Sequence, residues 1–428
     1  MTLALNNKVR IRILDLARQT NQYKLFNQYL KNQYIYNKEE IELYQKKKFK
    51  EIFKHHFENN ESYRTHLRSM GFNGSSSSEI DKIPIISKSF FKNNLNNHFI
   101  SSLVHTTKYS GGTTGSPLAI HLSQESIDNF WPAIWRAFDV YGVEPCDKIM
   151  MIAGPSLLNK RTLKRKIYDL VSNFEVVSAF DLSSDVLYNA YKTLLKRDIK
   201  AIYGYTSSVL VFLNFLKDNN YRLDLKCIFT TSETFIPKVR VLAKEYCNCD
   251  VIDTYGAKDG GVAAFECNFH HGYHLNFENS LVEIIDNKII CTDLLNRASP
   301  FIRYEVGDYT TSDKVITEKC ECGRSLFRIE SIAGRVNDHV IDIDGNVVHS
   351  EFFSHLFVED ALIDQYQILY SNQEIVINMI TSAMVSEEQF YKSYGLMLSK
   401  RFKMPFRIVV NQEIITLPNA KIPIIVKA

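Results

Sequence analysis

Hydrophobic positions along the chain follow three rhythms. In the first 70 residues they recur at helical spacing, through Val9, Ile13 and Leu16 and again through Phe49, Ile52, Phe53 and Phe57. Gly71-Phe72-Asn73-Gly74 and the four serines after it read as a connector. From Thr106 to Asn296, β-branched or apolar runs at 148–153, 201–203, 227–231 and 250–253 alternate with helix-like stretches. That alternation predicts an α/β core with a largely parallel sheet. Beyond about Arg335 the rhythm changes again. Residues 340–343, 367–370, 374–380 and 406–410 read as strands, and 350–357 and 386–400 as helices, giving a small α+β unit. The expected organisation is an N-terminal domain at 1–335, with a helical leader at 1–75, and a small C-terminal domain at 336–428. No internal repeat is visible.

Composition narrows the function classes. Lys and Arg number 51 against 48 Asp and Glu, a net charge of +3 over 428 residues. A nucleic-acid binder dominated by phosphate contacts is more basic, so no nucleic-acid partner is expected. The N-terminus lacks the apolar core of a signal peptide, and no apolar run approaches the ~18 residues of a membrane span. A cytoplasmic protein with reduced thiols is expected, and eight cysteines then point to metal rather than to disulfides. Charge is uneven only at the start, where the first 70 residues carry 14 basic and 7 acidic side chains. Docking to an anionic membrane surface and a solvated helix face both fit; interspersed acids favour the second.

Tyr109-Ser110-Gly111-Gly112-Thr113-Thr114-Gly115-Ser116-Pro117 is the most distinctive segment. Its three glycines let consecutive N–H groups face one way, and its hydroxyls add donors, a combination suited to polyphosphate oxygens. No Gly-Lys-Ser/Thr follows, so it is not a Walker A loop. Downstream come Thr231-Ser232-Glu233, Asp253-Thr254-Tyr255-Gly256-Ala257-Lys258-Asp259, Arg303-Tyr304-Glu305-Val306-Gly307-Asp308 and Gly334-Arg335-Val336-Asn337-Asp338.

In that order and spacing, these segments resemble the nucleotide motifs of the acyl-adenylate-forming (AMP-binding) superfamily. The nearest resemblance is to phenylacetate–CoA ligases and their relatives in capsular polysaccharide biosynthesis, and it spans roughly residues 80 to 425. Ile83-Pro84-Ile85-Ile86-Ser87-Lys88 and Gly272-Tyr273-His274 fit the same family. The resemblance implies a large adenylate-forming N-terminal domain of mixed sheets and helices, with a small mobile α+β lid. It also implies a reaction in which a carboxylic acid and ATP give acyl-AMP and pyrophosphate. The acyl group then passes to CoA or to an amine of a sugar or amino acid. A nucleotide-binding protein without catalysis is the reading from another class, and a homodimer is left open.

By the same resemblance, Ser110, Gly111, Gly112, Thr113, Thr114 and Gly115 hold the departing pyrophosphate. Ser232, Glu233 and Gly256 border the nucleotide, Asp253 reads the adenine amino edge, Tyr255 stacks on the base, and Asp308 binds the ribose hydroxyls. Asp259 holds Mg²⁺ where the family usually has the longer Glu. Arg335 balances phosphate charge at the hinge, and Lys421 stabilises charge on the α-phosphate, although Ala420 replaces the usual preceding glycine. Ser116 stands where the loop often carries Lys. The acyl pocket is expected near 203–207, 231–234 and 256–262.

Cys320-Glu321-Cys322-Gly323 brings two thiols into one turn, and Cys267 lies upstream with His270, His271 and His274. Three thiolates and an imidazole suit tetrahedral structural Zn²⁺ with no open position. The family pairs a Cys before Gly-x-His with a later Cys-x-Cys, which implies Cys267, His274, Cys320 and Cys322. Cys247-Asn248-Cys249 is the competing pair. Trp131 and Trp135, four apart, read as core of a helix.

Overall fold

The computed structural model describes residues 6–74, 79–93, 98–109, 118–153, 163–179, 181–232, 235, 237–310, 312–332, 339–342, 344–345, 347–357, 360, 362–363, 365–371, 373–381, 383–415 and 425–427. Four helices come first: α1 (Asn7–Arg18), α2 (Gln22–Ile35), α3 (Lys38–Asn59) and α4 (Glu61–Ser69). Asn37 starts α3 with a capping box: its side chain accepts from the N–H of Glu40, whose carboxylate accepts from the N–H of Asn37. Phe49, Ile52 and Phe53 of α3 are buried, as their spacing predicts. In α1 the helix forms, but Val9, Ile13 and Leu16 face outward, while Ile11 and Leu14 pack with Cys146. Then come α5 (Lys88–Asn93), the antiparallel pair β1 (Thr106–Tyr109) and β2 (Ala119–Leu122), and α6 (Gln124–Phe138). Trp131 and Trp135 of α6 lie in the main apolar core. Beside them Arg136, fully buried, pairs with Glu278 at 2.7 Å and donates to Tyr29 and Asn276.

The centre is a run of βα units: β3 (Ile149–Ala153), α7 (Leu163–Ser172), β4 (Phe174–Ser178), α8 (Ser184–Lys196), β5 (Ala201–Tyr205), α9 (Thr206–Asp218), β6 (Cys227–Thr231), α10 (Lys238–Cys247) and β7 (Asp250–Ala257). Their strands pair in parallel in the order β4-β3-β5-β6-β7. The continuous apolar runs read from the sequence are what a sheet covered on both faces requires. After β7 the chain turns antiparallel through β8 (Val262–Glu266), β9 (Tyr273–Leu275), β10 (Ser280–Ile285), β11 (Lys288–Asp293), β12 (Tyr304–Tyr309) and β13 (Arg328–Ile329). β8, β9 and β13 extend the central sheet to eight strands, and β10-β11-β12 make a second sheet. Ile86, in the Ile-Pro-Ile-Ile segment, bridges Tyr304 at the edge of β12.

The C-terminal elements are β14 (His339–Ile341), β15 (Val347–His349), α11 (Ser350–Phe357), β16 (Gln365–Tyr370), β17 (Ile375–Ile380), α12 (Glu387–Arg401), β18 (Phe406–Val410) and β19 (Ile425–Lys427). They form a four-stranded sheet, β18-β17-β16-β19, over an apolar core of its own that includes Phe353, Ile368, Ile377 and Leu398. The mixed α/β architecture expected from the sequence is what the structure has. Among the described residues no helix is long and apolar enough to cross a membrane.

Candidate functional site

In open parallel sheets, ligands bind outside the carboxyl ends of the strands. Here the motif residues lie at the carboxyl ends of β6 and β7, two of the five parallel strands. Ser232 follows β6 with φ +70°, a left-handed conformation that a non-glycine residue adopts only where its surroundings enforce it. It is exposed at the strand end.

At the end of β7 the motif residues separate into two environments. Asp253 is buried, and its carboxylate accepts from the hydroxyls of Thr230 at 2.5 Å and Tyr273 at 2.6 Å. Its N–H donates to Glu266, which Arg240 grips with two hydrogen bonds of 2.8 and 2.7 Å. Burial pushes the Asp253 carboxyl up to about 7, against the pull of the two hydroxyl donors. This side chain therefore ties β7 to β6 and β9. Tyr255 is half-buried and Gly256 exposed, and the turn that follows carries Asp259.

Asp259 and Asp308 are held by a reciprocal arrangement. The Tyr255 hydroxyl, from β7, donates to Asp308 Oδ2 of β12 at 2.8 Å. The Tyr304 hydroxyl, from β12, donates to Asp259 Oδ2 in the turn after β7 at 3.1 Å. Each motif thus supplies a tyrosine to the other's carboxylate, which joins the two sheets. The ring of Tyr304 is fully buried and meets Phe91 and Phe301 edge-on at 5.4 and 5.2 Å. Gly260 sits so close to Cys291 of β11 that a Cβ would lie 1.9 Å from its sulfur. Sequence reasoning assigned Tyr304 no role; its position between Arg303 and Glu305 in the segment that ends on Asp308 was the available signal. Arg303 of the same motif turns away. Its guanidinium pairs with Glu283 at 2.9 Å and donates to the carbonyls of Asp81 and Ile83.

The loop residues Ser110, Gly111, Gly112, Thr113, Thr114 and Gly115, together with Glu233, Arg335 and Lys421, lie outside the described residues. On either side of the loop, Tyr109 and Ala119 are paired across β1 and β2.

A second constellation gathers Cys267, His274, Cys320 and Cys322, whose ligand atoms all lie within 4.8 Å of one another. Cys267 follows β8 and His274 is central in β9. Cys320 and Cys322 come from a turn closed by Gly323 at φ +84°, with the Gly323 N–H donating to the Cys320 carbonyl. The Cys267 and Cys320 sulfurs are 3.8 Å apart, and Cys322 Sγ is 3.5 Å from His274 Nε2. Contact with Cys267, and then with His274, pushes the Cys322 thiol well down, while the same contact pushes Cys267 up. Three sulfurs and one imidazole nitrogen at this spacing match the donor set and number of a closed tetrahedral site. Among the described residues, Cys247 and Cys249 acquire no third ligand of this kind.

No protein-family model matches the chain. It is 21% identical over 372 residues to Protein CapK of Staphylococcus aureus, covering 84% of this chain and 82% of that protein. Over 188 residues it is 24% identical to the phenylacetate-coenzyme A ligase of Thermus thermophilus, 40% of this chain and 41% of the ligase. Among solved structures it is similar to 2-hydroxyisobutyryl-CoA ligase in complex with 2-HIB-AMP and CoA in the thioesterification state. The TM-score is 0.62 and the identity 17%, over 92% of this chain and 91% of that one. The same ligase in the postadenylation state gives a TM-score of 0.57 at 16% identity, over 93% and 91%. At these identities the structural likeness shows the fold.

Proposed function

We propose that this chain, a relative of the phenylacetate–CoA ligase-like adenylate-forming enzymes, activates a carboxylic acid with ATP and transfers the acyl group to CoA. The observation that carries the reading is the reciprocal tyrosine–carboxylate pair, which sets Asp259 and Asp308 beside the carboxyl end of β7. The relatives' names and the ligands of the solved ligase support both the adenylation and the CoA half.

The physical task is to bring an anionic acid against a polyanion, so positioning and charge neutralisation supply the catalysis. Asp308 accepts from the ribose hydroxyls, and Tyr255, fixed by its bond to Asp308, offers its ring to the adenine. Asp253 contributes by holding β7 in register beneath that ring. Ser232, Glu233 and Gly256 border the nucleotide. Ser110, Gly111, Gly112, Thr113, Thr114 and Gly115 give the pyrophosphate its donors. Arg335 and Lys421 bring positive charge to the α-phosphate. Asp259 offers hard carboxylate oxygens suited to Mg²⁺, which neutralises phosphate charge when bound. The Cys267, His274, Cys320 and Cys322 set suits Zn²⁺, which would clamp the turn at 320–323 to β9 as a structural element. Reduced thiols at that site fit a cytoplasmic enzyme.

Exchange of labelled pyrophosphate into ATP, run across a panel of carboxylic acids, tests the first half. One acid supports exchange, and Lys421→Ala lowers it by about 10²–10³-fold with an unchanged thermal midpoint. Exchange with no acid overturns the reading in favour of nucleotide binding without catalysis. Adding CoA, or amines of sugars and amino acids, to the preformed acyl-AMP then identifies the acceptor; consumption by an amine alone replaces the CoA half.

A further inference from the structure

The first helix is apolar on two sides, and only one of them is covered. Ile11 and Leu14 pack with Cys146, Tyr168, Val171 and Tyr23. Arg10 locks α1 in place by donating to the carbonyls of Leu170 and Val171 at the end of α7. The opposite side carries Val9, Ile13 and Leu16, three residues at i, i+4 and i+7, exposed by 41%, 38% and 72%. A surface helix ordinarily covers its apolar stripe and turns polar residues outward, so a second, uncovered apolar stripe calls for an occupant. On α7, Ile167 and Leu170 are also exposed, by 53% and 42%.

Charge says what covers this face. The acids that intersperse the first 70 residues fall in α3 and α4, except for Asp15. Between α1 and α2 runs an open groove of about 1020 Å³, whose charged lining is Lys8, Arg12, Lys24, Lys31 and Asp15. Asp15 already accepts from the Thr20 hydroxyl and the Gln22 N–H, at 2.8 and 2.9 Å. The four cations form no ion pair among the described residues. A second copy seated on this surface about a two-fold axis would set like charges against like charges. An anionic phospholipid bilayer meets both features, with headgroups for the cations and the acyl boundary for the projecting apolar side chains.

We propose that α1 docks this protein on an anionic phospholipid surface, with Val9, Ile13 and Leu16 inserted at the headgroup boundary and Lys8, Arg12, Lys24 and Lys31 on the phosphates. The inference is independent of the reaction proposed above, because vesicle binding is read without turnover.

The test is flotation of the full chain with vesicles of phosphatidylcholine alone, or of phosphatidylcholine mixed with phosphatidylglycerol. The protein floats with the mixed vesicles only, and added salt weakens binding as the Debye length shortens. Ile13→Ser with Leu16→Ser lowers the partition coefficient more than about tenfold. Each of Arg12→Glu and Lys24→Glu lowers it about fivefold or more. All of these variants keep the wild-type thermal midpoint, since the altered side chains project into solvent. Equal flotation with both vesicle types overturns the proposal, as does none with either or indifference to the apolar pair. A concentration-dependent dimer dissolved by Ile13→Ser and Leu16→Ser, without flotation, overturns it in favour of a second copy.

Discussion

Gly260 offers a sharp test of how the candidate site is held. It closes the turn that carries Asp259, and an ideal Cβ there would lie 1.9 Å from Cys291 Sγ but 3.4 Å from Cys291 Cβ. The backbone at Gly260 is not in the left-handed region, so the sulfur alone stands against a side chain. Gly260→Ala therefore forces the turn and β11 apart, an overpacking cost of ~1–3 kcal/mol. Cys291→Ala alone leaves a small void where a fully buried sulfur stood, worth ~1 kcal/mol. In the double variant the new methyl occupies that void, and the remaining contact of 3.4 Å lies within ordinary van der Waals range. The two substitutions are thus expected to couple favourably by ~1–3 kcal/mol. A double-mutant cycle in denaturant unfolding measures the coupling, and pyrophosphate exchange reports whether Asp259 returns to place. Additive losses, or a Gly260→Ala protein as stable as the parent, would refute the packing argument.

Three further expectations follow from the same geometry. Purified protein should hold one zinc per chain by elemental analysis, and Cys322→Ser should lose it and lower the thermal midpoint; a metal-free parent would sink the assignment. Burial pushes Asp293 and Asp253 up to about 7. The folded chain then keeps protons that the unfolded chain releases near pH 4, so stability falls as pH rises from about 4 to about 7. Asp293→Asn, which keeps an oxygen for the N–H groups of Leu295 and Asn296, should flatten its share of that fall in thermal melts. Tyr304→Phe removes the donor to Asp259 for ~1 kcal/mol of stability and should raise the Mg²⁺ needed for half-maximal exchange. An unchanged Mg²⁺ requirement would mean that Tyr304 supports the fold alone.

What the sequence revealed depended on the range of the interaction involved. β3, β5, β6 and β7, and beyond Arg335 the helices α11 and α12 with strands β14, β16, β17 and β18, were legible because periodicity and β-branched runs are local signals; the three-residue strands β15 and β19 were not. The Cys₃His set was legible through the family resemblance, which singled out His274 from His270 and His271 and Cys320-x-Cys322 from Cys247-x-Cys249; the structure brings the four together. The antiparallel strands β9 and β13 were not, since they have three and two residues and are separated by some fifty residues of chain, nor was β8, whose pairing with β9 is not a local signal. Asp253 has the look of a ligand in a motif; only the register of β9 shows that Tyr273 and Thr230 already engage it. In α1, spacing marks Val9, Ile13 and Leu16 as a stripe but is silent on which side of the helix the body covers. The partner of Arg303 was equally hidden, because Glu283 is brought to it by the β10-β11-β12 sheet.

The crossed tyrosines bear on the proposed Mg²⁺ role of Asp259. If Asp259 holds the metal in place of the family's longer Glu, its reach depends more on where the turn puts its backbone. Two contacts fix that backbone: Gly260 packed on Cys291, and the Tyr304 hydroxyl on Oδ2. Tyr304 is itself anchored by the Phe91 and Phe301 rings and by Ile86 bridging the edge of β12. The same strand carries Asp308, which Tyr255 ties back to β7. A displacement of β12 therefore disturbs both carboxylates, Asp308 through its own backbone and Asp259 through the Tyr304 hydroxyl. Precision at such a site comes from the residues that hold the reacting groups. Here those residues lie in the Ile-Pro-Ile-Ile segment, in β11 and in β12, and of these elements only β12 carries a residue, Asp308, proposed to meet the nucleotide.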